Sequence, residues 1–229
     1  MALLRALSRS IKHLRERAAG LSRRVDFELP CQGLGSEYGR HAVCLERIRP
    51  GAVVYSFGLG LDISFDLELI DRTGAMVFGF DPTPRSIAYV KQQALPVGFE
   101  LREYGVGDHD GVVTFHAPEN PEHISHSMVA RKGAATHEFP IKRLSTIMRE
   151  HGHRRLDVLK MDVEGAEYDV LDQLIAQKLD LDQLLIEFHH QLPGIPPART
   201  ARALQALRDG GWGVVHVAAN LREFSLARR

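Results

Sequence analysis

Leu159-Lys160-Met161-Asp162-Val163-Glu164-Gly165-Ala166-Glu167 reads as a buried strand that ends in acids and turns into a helix. A short apolar run comes first, and three carboxylates and a glycine close the segment. In an open α/β sheet, ligands bind at the carboxyl ends of such strands. A second glycine-bearing strand end, Tyr55-Ser56-Phe57-Gly58-Leu59-Gly60-Leu61-Asp62, lies about a hundred residues earlier. The two segments look like opposite halves of one cleft.

Around them the chain alternates strand and helix signals. Strands are predicted over 53–57, 76–80, 99–106, 158–161 and 184–188, with a further short strand over 112–116. Helices are predicted over 64–71, 84–93, 144–151, 168–177 and 199–208. Two last strands, 212–218 and 223–227, are separated only by a short turn at Asn220. Strands alternating with helices imply βαβ units and a parallel sheet covered on both faces. The final pair has no helix between its members and must be antiparallel. The expectation is therefore a Rossmann-like α/β fold: seven strands, mostly parallel, with a C-terminal antiparallel strand. Residues 117–138 do not fit the alternation. They are expected to form a lid or substrate loop, since long loops in compact domains are often functional.

The 229 residues suit one domain, 25–229, preceded by a basic helical segment, 1–24. Lys+Arg and Asp+Glu are both 29, a balance that argues against a nucleic-acid binder. The neutrality hides an asymmetry. Arg5, Arg9, Lys12, Arg15, Arg17, Arg23 and Arg24 face one acid, Glu16, in the first 24 residues, which leaves 22 bases against 28 acids in the rest. Leu3, Leu4, Leu7, Ile11, Leu14, Ala18 and Leu21 recur at helical spacing and make one apolar face. Such a face suits docking on a membrane surface or a partner, or packing on the domain's own flank. No run is long enough for a membrane span, and polar residues interrupt any signal-peptide core. Cys31 and Cys44 lack zinc-motif spacing and read as two reduced thiols of a cytoplasmic enzyme.

Four constellations carry chemistry. Gly58 and Gly60 let the backbone turn sharply and approach a ligand closely. A nicotinamide fingerprint would need a third glycine where Ile63 stands. Asp81 ends the second strand 21 residues beyond Gly60, where an acid accepts hydrogen bonds from ribose hydroxyls. That fits NAD and S-adenosyl-L-methionine equally, because both carry adenosine. Asp108, in Gly105-Val106-Gly107-Asp108, stands where an adenine edge would lie. Finally, Asp162 and Glu164 share a face by parity, as do Glu187 and His189 on the next strand. Acids and a histidine at one strand-end cleft can hold a hydroxyl and remove its proton, or bind a divalent metal. No metal is assigned.

The residues at 159–167, Asp81, the Gly-Val-Gly-Asp segment from Gly105 and the strand Ile186-Glu187-Phe188-His189 resemble the FkbM-type methyltransferases, an S-adenosyl-L-methionine-dependent family. The likeness runs over about 35–215 and includes Gly35-Ser36-Glu37-Tyr38-Gly39 before the first strand. It implies a class I methyltransferase fold and methyl transfer to a hydroxyl of a small molecule, sugar, glycan or lipid. The sequence departs from the family pattern in the first strand, where Ser56 replaces the usual acid and Asp62 the last glycine. Asp62 or Glu164 is therefore expected to take the cofactor's ammonium. Asp162 and His189 are expected to be the acid–base or substrate-orienting pair, with Glu167 only a first-turn helix acid. The competing readings are a nicotinamide-dependent oxidoreductase on the same fold and a non-catalytic cofactor-binding or scaffold protein.

Overall fold

The computed structural model describes residues 15–116 and 136–229. Twelve strands and five helices are complete among them. In chain order they are β1 (Gln32–Leu34), β2 (His41–Val43), β3 (Val53–Phe57), α1 (Ser64–Thr73), β4 (Met76–Phe80) and α2 (Pro84–Lys91). Next come β5 (Phe99–Arg102), β6 (Gly105–Val106), β7 (Gly111–His116), β8 (Thr136–Lys142), α3 (Leu144–Glu150) and β9 (Arg155–Met161). The chain ends with α4 (Glu167–Ala176), β10 (Asp180–Glu187), α5 (Pro197–Asp209), β11 (Trp212–Val217) and β12 (Glu223–Arg228).

The central sheet has seven strands in the order β11-β12-β10-β9-β3-β4-β5. All pairings from β10 to β5 are parallel, and β12 is antiparallel to both of its neighbours. This is the expected Rossmann-like sheet. Asn220 tightens the last hairpin by accepting the Arg222 N–H at 3.0 Å. Strand parity divides the core. Tyr55, Phe57, Leu159 and Met161 pack on one face with Phe80, whose ring stacks on Phe57 at 4.4 Å. Val54 and Val158 pack on the other face with Phe65 and Leu69 of α1. Each fully buried ring or branched chain contributes about 2 kcal/mol.

Three expectations are corrected. The strand predicted over 99–106 is broken: β5 stops at Arg102, and β6 joins a separate small sheet with β8 and β7. Gly107 continues that departure by donating its N–H to the Lys142 carbonyl at 3.0 Å. The expected lid over 117–138 lies mostly outside the described residues, and its last three residues begin strand β8. Cys31 and Cys44, expected as free thiols, are paired as a disulfide with Cα atoms 4.2 Å apart.

Residues 1–14 of the basic segment also lie outside the described residues. The remainder of the segment packs on the domain itself. Glu16 is buried, with its Oε1 3.2 Å from His190 Nε2, and Leu21 joins the main core. Asp26 then accepts hydrogen bonds from Arg208 Nε and the Val214 N–H, both at 2.8 Å. No helix among the described residues is long and apolar enough to cross a membrane.

Candidate active site

The glycine turn after β3 and the acidic turn after β9 meet at the carboxyl edge of the sheet. The Asp162 N–H donates to the Phe57 carbonyl at 3.0 Å, and the Gly58 N–H donates to the Phe80 carbonyl at 3.0 Å. Gly58 has φ +80°, and a Cβ there would lie 1.8 Å from the Asp162 carbonyl oxygen. Only glycine fits such an approach. Gly60 also has a left-handed φ, +55°, but its Cβ direction is open.

Above this junction lies a cavity of about 500 Å³, within the usual range for small-molecule sites. Gly58, Gly60, Asp62, Asp81, Asp162, Glu164 and His189 all line it. Asp108 does not. The chain has left the main sheet at β6, and Asp108 pairs with His109 at 2.6 Å on the surface. Asp108 thus lies outside the cavity lining.

Several acids turn out to be committed to the scaffold. Asp81 Oδ2 accepts the Leu59 and Gly60 N–H groups at 3.0 and 3.2 Å. Its Oδ1 accepts the Thr83 N–H and hydroxyl at 2.9 and 2.6 Å. All four acceptor positions of the carboxylate are thereby filled, so Asp81 pins the glycine turn from beneath. Asp62 Oδ1 accepts the Ser64 N–H at 2.8 Å, and its Oδ2 accepts the Ser36 hydroxyl at 2.5 Å. Burial would raise its pKa, but these hydrogen bonds prevail and hold it below the usual carboxylate range. Asp62 thus latches the segment at 35–39 over the start of α1. Glu167 is fully buried and accepts the Gly165 N–H at 2.8 Å and the His189 N–H at 2.7 Å. It ties the ends of β9 and β10 together, which is more than a helix-dipole role.

One side of the cavity is an ionic cluster. His189 is buried, with Nε2 3.4 Å from Asp162 and 3.6 Å from Glu164, and Nδ1 3.5 Å from Glu167. Glu164 reaches it from a left-handed backbone, φ +48°. Burial opposes a charge on His189, but Asp162, Glu167 and Glu164 outweigh it and push its pKa up to about 11. The surrounding carboxylates thus favour the protonated imidazole. Ligand atoms of Asp162, Glu164 and His189 lie within 4.8 Å of one another, a spacing that suits a divalent ion.

Sequence reasoning places Glu187 beside His189 without giving it a role. Burial first, and the Asp162 charge second, push its carboxyl up to about 7. Arg222 stands 3.6 Å away. Lys160 is a further residue that the sequence reading leaves without a role. It is buried in β9 and donates from Nζ to the Gly58 carbonyl at 2.7 Å. Its signal is legible as a lone lysine inside an apolar strand.

The family described as "Methyltransferase FkbM domain" matches residues 55–211. Probable methyltransferase-like protein 24 of Rattus norvegicus is 30% identical over 143 residues, covering 62% of this chain and 34% of that protein. Its Homo sapiens counterpart is 29% identical over 143 residues, covering 62% and 33%. The chain thus spans about a third of the length of these relatives. Among solved structures, Aeropyrum pernix fibrillarin with bound S-adenosyl-L-methionine has a TM-score of 0.42 at 13% identity, covering 81% of this chain and 68% of that one. The precorrin-6y C5,15-methyltransferase of Geobacter metallireducens has a TM-score of 0.43 at 11% identity, covering 80% and 82%.

Proposed function

Because the chain belongs to the methyltransferase FkbM family, whose cofactor is S-adenosyl-L-methionine, we propose that it methylates a hydroxyl oxygen of a small molecule or glycan, with Glu187 as general base. When bound, the cofactor supplies a methyl group made electrophilic by its sulfonium. The site fits it in three respects: the cavity is of ligand size, Gly60 in its lining opens onto space, and a buried carboxylate without a hydrogen-bond partner, Asp66, lines it. Gly58 and Gly60 carry the backbone past the cofactor, and Asp81 holds that turn at the ribose end. An alkyl hydroxyl needs its proton removed as the methyl group arrives. The base works best when its pKa lies near the working pH. Glu187, pushed up to about 7, meets that condition. His189 suits the role less well, because the carboxylates around it favour its protonated form. Asp162 and His189 instead form the orienting pair. The imidazole fixes Asp162 and Glu164, and Asp162 is left to accept from the hydroxyl being methylated.

The observation that carries this reading is the Glu187 carboxyl lining the cavity next to the Asp162–His189 pair, with its pKa raised by burial. Incubation with methyl-labelled cofactor and a panel of sugars, glycans and polyhydroxylated small molecules tests it. Label in alkali-stable ethers is expected. Label confined to amines or to alkali-labile esters contradicts the hydroxyl assignment.

A further inference from the structure

We propose that the Asp66 carboxylate accepts the α-ammonium group at the amino-acid end of the cofactor, the task left open where Ser56 replaces a strand acid. The inference rests on the cofactor reading above and names a residue for it. Asp66 sits in the first turn of α1 and is 1% exposed. Both of its carboxylate oxygens are buried and lack a hydrogen-bond partner among the described residues, yet the side chain lines the cavity. Burial raises its pKa, against the pull of Lys160 and the nearby Ser56 hydroxyl. An unpaired carboxylate out of water is costly unless a cation or donors reach it.

The sheet register explains why the acid can come from the helix. Ser56 of β3 and Lys160 of β9 are direct neighbours across the ladder. By parity they share the face of Val54 and Val158, against which α1 packs. Asp66 therefore comes down over the place where a strand acid at position 56 would end. No ion pair within 4.0 Å is found for it among the described residues, and Lys160 is held by the Gly58 carbonyl. The other acids lining the cavity near the glycine turn are engaged: Asp62 by Ser36 and Ser64, Asp81 by four donors, and Asp162 by His189. Among the described residues, Asp66 is the buried carboxylate whose two oxygens both lack a hydrogen-bond partner. A zwitterionic amino-acid end would match this floor, with Asp66 available to its ammonium and Lys160 to its carboxylate. This assignment replaces both Asp62 and Glu164 as the ammonium acceptor.

Calorimetry on wild type and Asp66→Asn tests the assignment with two ligands. S-adenosylhomocysteine carries the amino-acid end, and 5′-methylthioadenosine lacks it. In Asp66→Asn, S-adenosylhomocysteine should bind about tenfold more weakly or worse, as expected for a lost charge-assisted hydrogen bond, while 5′-methylthioadenosine binds as in wild type. Unchanged affinity for both, or an equal fall for both, overturns the role. If the variant does not fold, wild type decides alone. S-adenosylhomocysteine should bind it at least about tenfold more tightly than the analogue with hydrogen in place of the α-amino group, and equal affinity overturns the proposal. Wild type that binds neither nucleoside would instead defeat the cofactor reading itself.

Discussion

Gly58 and Gly60 look alike in sequence and differ in what surrounds them. A Cβ at Gly58 collides with the Asp162 carbonyl, whereas Gly60 opens onto space. Gly58→Ala should therefore lower stability by about 3 kcal/mol and abolish cofactor binding, while Gly60→Ala costs about 1–2 kcal/mol from its left-handed φ alone. Melting temperatures and cofactor titration check both. Glu187 makes a prediction of opposite sign for stability and activity. Its pKa is about 7 in the fold and near 4.5 when unfolded, so the folded protein binds the proton more tightly. Wild-type stability should thus decline as pH rises from 4.5 through 7. Glu187→Gln, which cannot ionise, should be more heat-stable than wild type at pH 8 by on the order of 2 kcal/mol. The same variant should lose about 10²–10⁴-fold in turnover, and wild-type turnover should rise with an apparent pKa near 7. A variant with wild-type turnover removes Glu187 as the base.

Among the elements, the first described residues act as a strap rather than a tail. Asp26 holds Arg208 of α5 and the Val214 N–H of β11 at once. Burial would raise its pKa, but Val214 and Arg208 prevail and lower it. Its stabilisation is therefore present above the unfolded value of about 3.8 and is lost as pH falls through the folded value. Asp26→Asn should cost about 2 kcal/mol at pH 7, and urea melts should show the gap to wild type closing below about pH 4. A constant gap would mean that the charge contributes nothing. Much of the sheet is legible in the sequence because its strands are uniform apolar runs that end in glycine or acid. The break after Arg102 is not, since the run Phe99 to Val106 stays strand-like while its partners change from β4 to β8. That departure carries Asp108 away from the cavity lining. Asp66 escapes a sequence reading because parity fixes faces within one element, whereas its importance arises from a helix lying over a neighbouring strand pair.

Taken as a whole, the molecule gathers its charged chemistry at one edge of the sheet. Asp162, Glu164 and Glu167 surround His189, and Asp66 and Lys160 line the cavity near the glycine turn. Because His189 contacts both Asp162 and Glu164, methyl transfer is expected to persist in excess EDTA. Activity lost in EDTA and restored by a divalent ion would instead make Asp162, Glu164 and His189 metal ligands. The central claim is that the cavity over Gly58 and Asp162 is the cofactor site of a methyltransferase. Calorimetric titration of the wild-type chain with S-adenosylhomocysteine, with NAD alongside, tests it most directly. The account predicts one S-adenosylhomocysteine bound per chain, lost in Gly58→Ala, and no heat from NAD. No binding of S-adenosylhomocysteine, or saturable binding of NAD in its place, would contradict it.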